Sequence, residues 1–404
     1  MSASNDRADA IVLARPRVIA ALAAHLRDLD AAEDAFAEAT EAYLALDTPP
    51  DNPAAWLLTV AKRKAIDAIR KHQAQARAAD GAAMVSEMAE VIKLPEPIPD
   101  ERLRLIFICC HPALAVEARA ALAMKTICGL PISAIAKVFV TTEPTMFQRI
   151  TRAKSKIRQA GIAFELPPRK AWGDRLEAVL LTLELAYTVA YQDAASELDR
   201  ELSDEVARLA QMVAELLPNE PEALGLAALV TLARSREAAR VDSEGAMVPL
   251  SQQDTRLWDL GAIEQARLWL DDAAMFGETG PYQLMAAIQL THARRAFDGA
   301  TDWGAILQLY TALMAVRPGP LVALNRALAL AHVEGPEAAL AELEHLPADR
   351  LKSARPFHAA RAELLAQSGD LTKAREALDA AIRLDPPRAE RLFLKQKRQA
   401  YSAS

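Results

Sequence analysis

Pro131–Gln159, "PISAIAKVFVTTEPTMFQRITRAKSKIRQ", holds two short helical patterns separated by a break. The first, Ile132–Val140, is apolar; the second, Thr145–Arg158, is basic; "TTEP" stands between them. Pro144 has a fixed φ and no N–H to donate, so it suits the first turn of a new helix, with Thr142 or Glu143 supplying the capping oxygen. Two helices joined by a capped turn make a helix-turn-helix. On the second helix Met146, Ile150, Ala153 and Ile157 recur at three- and four-residue steps and are predicted to face inward. Thr145, Gln148, Arg149, Arg152 and Lys156 are predicted on the opposite face, with Lys154 in the same set, where an Arg fork suits guanine edges and phosphates.

Charge points the same way. The stretch carries Lys137, Arg149, Arg152, Lys154, Lys156 and Arg158 against Glu143, a net of 6 − 1 = +5, in a chain whose formal total is −7. A basic island on an acidic protein fits a polyanion partner. A solvated amphipathic helix is the plain alternative, and the preceding helix and capped break favour DNA over it.

The totals bound the rest. A chain of 404 residues suggests two to four domains. Hydrophobic residues make up 52% and aromatics 5%, with 14 Gly, an Ala/Leu-rich balance that favours helix throughout. No run of 18 apolar residues free of charge occurs, and the start "MSASNDRADA" lacks the basic-then-apolar order of a secretory signal, so no membrane partner and a cytoplasmic location are expected. Cys109 and Cys110 are adjacent and Cys128 stands alone, which excludes a disulfide framework. "CCH" at 109–111 has two readings, packing or a metal or redox site; neighbours on a helix point about 100° apart and converge poorly on one ion, which favours packing.

Working toward the N-terminus, residues 11–27 read as a helix with an early Pro and residues 30–46 as a second with an acidic first turn. Glu33, Asp34, Glu38 and Glu41 form its acidic outer face, while Ala35, Phe36, Ala39 and Tyr43 turn inward. Such a face either confers solubility or docks on a basic coiled coil. After the turn-rich "DTPPDNP" at 47–53 comes a third helix, "AAWLLTVAKRKAIDAIRKHQ", expected to be apolar at Trp56, Leu57, Val60, Ala61, Ile66 and Ile69. It carries a second basic island: Lys62, Arg63, Lys64, Arg70, Lys71 and Arg77 against Asp67, again 6 − 1 = +5. Two separated basic helices suit a protein that spans two segments of nucleic acid.

Residues 76–100 lose apolar periodicity and end with three prolines; they read as a linker with a helical piece near Ala83–Val91. The expected divisions are therefore 8–75, the linker 76–100, 101–165 with Asp100 capping its first helix, and a tail over 170–404. Residues 1–170 hold 23 Lys+Arg and 20 Asp+Glu, net +3; the remaining 24 and 34 leave 171–404 at −10. The acidic tail is accordingly expected to contact the basic half and to set its activity.

The tail reads as successive helices over 172–193, 198–216, 221–236, 257–275, 281–298, 302–316, 320–333, 336–345, 354–368, 371–384 and 387–400. Gly335 and Gly369 lie 34 apart, while Asp302 and Asp370, like Pro318 and Pro386, lie 68 apart, twice that period. A 34-residue helix-turn-helix period is the tetratricopeptide (TPR) signature, and such stacks either offer a concave surface to a protein or peptide or serve as scaffold. The break at Val241–Gln253 leads into "QQDTRLWD", where Asp254, Arg256 and Trp258 are either a functional contact or loop-to-helix packing anchored by Trp258. The seven His residues are dispersed without i, i+4 metal spacing, and no Gly-rich phosphate loop occurs; neither catalysis nor a cofactor or metal is expected.

With these residues in view, the first 165 or so resemble a sigma factor of the sigma-70 family, in its two-domain extracytoplasmic-function (ECF) group. "DAAEDAFAEATEAYL" resembles the helix that binds the polymerase clamp, which gives Glu33, Asp34, Glu38 and Glu41 the role of core RNA polymerase contacts. "NPAAWLLTVAKRKAIDAIRK" resembles the helix that opens the minus-10 promoter element, which assigns that role to Asn52, Trp56, Lys62, Arg63, Lys64, Asp67, Arg70 and Lys71. "PTMFQRITRAKSKIR" resembles the recognition helix for the minus-35 element. "RLRLIFICCHPAL", with "QQDTRLWD", "GPYQL", "TDW" and "LNRALA" in the tail, is similar to the subgroup with a TPR-like, regulatory C-terminal extension. Ala134 departs from the acidic residue frequent in relatives, and Phe147 from a polar or small one. The resemblance implies an all-α fold and a protein that brings core polymerase to promoter DNA. A helix-turn-helix regulator with a ligand- or peptide-sensing TPR-like tail is the alternative.

Overall fold

The computed structural model describes residues 2–79, 101–139, 141–160, 172–192, 197–346 and 354–403. They are helical throughout, with an isolated bridge between Val241 and Met247 and no named strand among them. The chain divides into two compact units, Met1–Val189 and Ala190–Ser404.

The first unit opens with α1 (Ser2–Leu26), α2 (Leu29–Leu44) and α3 (Pro53–Ala79). Arg27 turns the chain at φ 55°, and Asp28 starts α2 by accepting from the N–H groups of Asp30 and Ala31 at 2.9 and 3.2 Å. The three helices enclose Val18, Ile19, Leu22, Ala35, Phe36, Ala39, Tyr43, Leu57, Ala61 and Ala65. On α3 the buried stripe is Leu57, Ala61, Ala65, strictly four apart. Ile66 and Ile69, expected inward, are instead 41% and 39% exposed. The helix also runs to Ala79, because "QAQARAA" is made of good helix formers. Asp100 and Ala83–Val91 lie outside the described residues.

The unit continues with α4 (Glu101–Cys109), α5 (Val116–Thr126), α6 (Ile132–Val138) and α7 (Glu143–Gln159). Cys109, Cys110 and Cys128 are all buried, as are Ile106, Phe107, Leu122 and Met124. His111 Nδ1 accepts from the N–H of Ala113 at 3.1 Å, so "CCHP" ends α4 in a tight turn. Burial pushes both adjacent thiols up, that of Cys110 to about 12. Gly129, at φ 69°, approaches Pro16 of α1 so closely that a Cβ would lie 3.0 Å from the proline ring. Trp172 stacks on Phe107 with centroids 5.0 Å apart, and Arg175, early in α8 (Gly173–Gln192), donates to the Phe107 carbonyl at 2.7 Å. The start of α8 thus packs on α4 within the first unit, whereas the sequence had placed it wholly in the tail.

The second unit holds α9 (Glu197–Leu216), α10 (Pro221–Arg234), α11 (Leu260–Ala274), α12 (Pro281–Ala293), the single turn α13 (Arg295–Asp298), α14 (Trp303–Val316), α15 (Pro320–Glu334), α16 (Pro336–Glu344), α17 (Arg355–Gln367), α18 (Leu371–Arg383) and α19 (Arg388–Ala403). Neighbouring helices pack in pairs around small cores such as Leu324, Ala327, Ala339, Leu343 and Leu364. The contact between α10 and α12 needs Gly225, whose Cβ would come within 2.7 Å of the Gln283 backbone nitrogen. Across it, Glu222 accepts from the N–H groups of Tyr282 and Gln283 at 3.0 and 3.2 Å, which explains "GPYQL" as a capped helix start. The 68-residue offset has a local counterpart: Asp302 and Asp370 both cap helices, accepting from Ala305 and Lys373 N–H at 2.9 and 3.0 Å. Gly335 and Gly369 both break helices at positive φ, 98° and 86°.

Candidate nucleic-acid interface

The turn before α7 forms as its residues dictate. Thr142 is the N-cap, its hydroxyl accepting from Thr145 N–H at 3.4 Å, and Pro144 sits in the first turn. Met146, Ile150, Ala153 and Ile157 are all buried, leaving Thr145, Gln148, Arg152 and Lys156 exposed on the outer arc. Two of the cations predicted on that arc point elsewhere. Arg149, one residue before Ile150, lies at the margin of the buried stripe; its guanidinium is 3.2 Å from Glu117 of α5 and lies over the Phe139 ring at 5.7 Å. Lys154, one residue after Ala153, flanks the stripe on the other side. Its ammonium is 2.5 Å from Glu33 and 3.4 Å from Asp30, both on α2, and Arg158 pairs with Asp30 as well.

The acidic face of α2 is therefore shared. Asp34, Glu38 and Glu41 are exposed. Glu33 is partly buried, 3.3 Å from Arg15 of α1 as well as bound to Lys154. Arg15 also donates to the Lys125 carbonyl at 3.3 Å, and burial together with the nearby guanidinium lowers the Lys125 ammonium. Nothing in the sequence beyond complementary charge signalled this cluster, since Lys125 lies 110 residues from Arg15 and Lys154 121 residues from Glu33.

On α3 three cations of the second basic island, Lys62, Arg63 and Arg70, border a shallow open groove. Thr59, Lys62, Arg63, Ile66, Asp67 and Arg70 line an open depression of about 380 Å³. Ile66, one of the two isoleucines that miss the core, lies among these charges, so the surface offers apolar area next to cations. Trp56 is half-buried, its ring 5.8 Å from that of Tyr43. Asn52 caps α3 by accepting from Ala55 N–H at 3.1 Å, which gives it a structural task at the edge of this surface. Lys64 leans away from the groove to Glu38 at 3.5 Å. Lys71 lies on the same helix, and its side chain is outside the described ones.

In the second unit Trp258 is 4% exposed and belongs to the core with Ala228, Leu232 and Ile263. Arg256 is exposed and grips Asp254 through contacts at 2.6 to 3.1 Å. The loop that carries them is held by a residue the sequence did not single out: Arg295 donates to the carbonyls of Leu250 and Gln253 at 3.0 and 2.8 Å, and to that of Ser251, and lies over the Trp258 ring at 5.1 Å. Val248 N–H donates to the Arg240 carbonyl and Met247 N–H to that of Ala389 in the same unit. Among the described residues no group of three or more His, Cys, Asp or Glu is placed to hold a metal, and no helix is long and apolar enough to cross a membrane.

Two exposed basic helices, α3 and α7, on separate helical groups of the first unit give a surface suited to a polyanion at two places. Comparison with known proteins agrees. Residues 11–75 match sigma-70 region 2, residues 104–157 match sigma-70 region 4, and residues 175–274 match a family of unknown function, DUF6596. An uncharacterized protein of Rhizobium meliloti (strain 1021) is 39% identical over 399 residues, covering 96% of this chain and 94% of its own. The chain belongs to the sigma-70 family, as an ECF-like sigma factor with a helical C-terminal extension. Its regions 2 and 4 carry promoter recognition and transcription initiation, with core RNA polymerase and promoter DNA as partners.

Proposed function

We propose that this chain directs core RNA polymerase to a specific set of promoters in the cytoplasm, without catalysis of its own, through residues 8–75 and 101–165 joined by the linker 76–100. In this reading Lys62, Arg63, Asp67 and Arg70, with Trp56 at the edge, engage the minus-10 element, and Asn52, Lys64 and Lys71 flank them. Thr145, Gln148, Arg152 and Lys156 read the minus-35 element; Arg149 and Lys154 fix the helix that presents them. Asp34, Glu38 and Glu41 contact polymerase, and Glu33 does so once released from Lys154. The observation that carries the reading is the ordered pair of exposed basic helices, one on each small domain, where two promoter boxes demand two grips.

Residues 170–404 regulate that activity in this proposal: a TPR-like extension of net −10 attached to a half of net +3, with Asp254, Arg256 and the loop that Trp258 anchors as the contact surface for the first half or for a peptide. Run-off transcription with purified core polymerase tests the main claim, and failure of the full chain to form a complex with core defeats it. Tight duplex binding by the free chain, unchanged by polymerase, would instead identify a helix-turn-helix regulator with a sensing tail. Transcripts made by a chain ending near Pro168 should differ from those of the full chain; identical output removes the regulatory claim.

A further inference from the structure

The large hydrophobic residue on α7 that its core does not use is Phe147. The inward stripe is already filled by Met146, Ile150, Ala153 and Ile157, and Phe147, about 100° round the helix from Met146, is 57% exposed. One turn further along, Thr151 is also exposed, and its hydroxyl donates to the Phe147 carbonyl at 2.9 Å. That bond spends the threonine's polar group on the helix itself and leaves its methyl for an outside contact. Phe147 and Thr151, four apart, thus form a small apolar patch on the outer arc of a helix whose other exposed residues beyond the first-turn Pro144 are polar. The flanking cations do not compete for the position, since Arg149 is held by Glu117 and Phe139 and Lys154 by Glu33 and Asp30.

In the major groove of duplex DNA, the thymine 5-methyl group is the apolar feature a side chain can meet. Helix-turn-helix proteins present the first turns of their second helix to base edges, and Phe147 is the fifth residue of α7. We propose that Phe147 is a specificity-determining residue that selects thymine in the upstream promoter element, with Thr151 beside it. The inference rests on the reading of α7 as the minus-35 reader and adds a base preference that its polar residues do not supply.

The test begins by selecting duplexes from a library randomised over the upstream element, using the full chain bound to core polymerase. The selected promoter is then synthesised with deoxyuridine in place of each upstream thymine, which removes only the methyl. The expected result is a loss of roughly fourfold in affinity at one or two positions for the wild-type chain, the worth of one buried methyl. Phe147→Ala should bind thymine and uracil promoters equally, Phe147→Leu should keep part of the preference, and Arg152→Ala should bind both more weakly while keeping the preference. Equal discrimination by wild type and Phe147→Ala, or none by wild type, overturns the inference while leaving the minus-35 reading in place. Equal weakening on both promoters with loss of polymerase association assigns Phe147 to a protein contact and also overturns it. If the wild-type complex selects no upstream sequence, the minus-35 reading fails and this inference falls with it.

Discussion

Lys154 on the recognition helix and Glu33 on the acidic helix, 121 positions apart, hold each other at 2.5 Å, with Asp30 completing the cage at 3.4 Å. Residues assigned to two different partners, promoter and polymerase, here neutralise one another. The pair is more than three-quarters buried on both sides, with side-chain exposures of 16% and 22%, so removing one member strands the other in a poorly solvated place. Glu33→Gln should lower the stability of the first unit by about 1–3 kcal/mol in chemical denaturation. The reversed pair Glu33→Lys with Lys154→Glu should recover part of that loss in a double-mutant cycle; strictly additive losses would show that the two residues are not coupled.

The two arginines of α7 should separate cleanly. Arg149→Ala removes the clamp to Glu117 and Phe139, and its first effect should be a lower unfolding midpoint. Arg152→Ala, from the exposed arc, should leave unfolding within about 0.5 kcal/mol of wild type. Its effect should fall on promoter binding by the polymerase complex, costing about 1–3 kcal/mol if it grips a guanine. Equal effects of both substitutions on both measurements would contradict the geometry.

In the extension, Gly225→Ala drives a Cβ into the Gln283 backbone and should destabilise the second unit by about 1–3 kcal/mol. Glu222→Ala, which strands the N–H groups of Tyr282 and Gln283, should cost a similar amount. Denaturant titration followed by tryptophan fluorescence reads both, and an unshifted midpoint for either would refute this packing.

Acid should weaken the same unit. His292 lies 5.3 Å from Trp303, and burial, with Arg236 and Arg295 nearby, holds its imidazole down at about 4. His332, stacked on the other side at 3.6 Å, is lowered as well. Below the ordinary histidine pKa of about 6.5 the unfolded chain takes up a proton that the folded one refuses, so stability falls as pH drops from about 6.5 toward 4. The loss from His292 reaches up to about 3 kcal/mol at the bottom of that window. Replacing His292 by Gln should flatten the curve there; an unchanged slope would assign acid sensitivity to other groups.

Cys109 and Cys110 should be silent toward a thiol-specific reagent in the native protein and react once it unfolds. Burial keeps both thiols protonated, and the thiolate is the reactive form. Rapid labelling at neutral pH without loss of structure would reopen a redox role.

Helix placement was legible because periodicity and caps are local. Thr142 with Pro144, and Asp302 and Asp370, announce helix starts that the structure confirms within a residue or two. The start of α11, expected at 257, lies three residues later, because Asp254 caps a 3-10 turn over Thr255–Leu257 and Asp259 then caps the helix from Leu260. What periodicity misjudged was the margin of a buried stripe. Arg149, Lys154, Ile66 and Ile69 all lie beside such stripes, where a few tens of degrees decide between core, ion pair and solvent. The cage around Glu33 and the three carbonyls on Arg295 depend on tertiary approach, for which a single sequence holds no register.

Arg295 leaves a last consequence. The stretch from Leu250 to Trp258 owes part of its outline to a side chain well beyond it. Ser243 and Glu244 lie outside its reach, in a turn held by Asp242, whose carboxylate accepts from the N–H groups of Glu244 and Ala246 at 2.9 and 2.8 Å. Any tilt of the helical turn bearing the guanidinium would pull on Leu250, Ser251 and Gln253 together, as a handle follows its hinge pin.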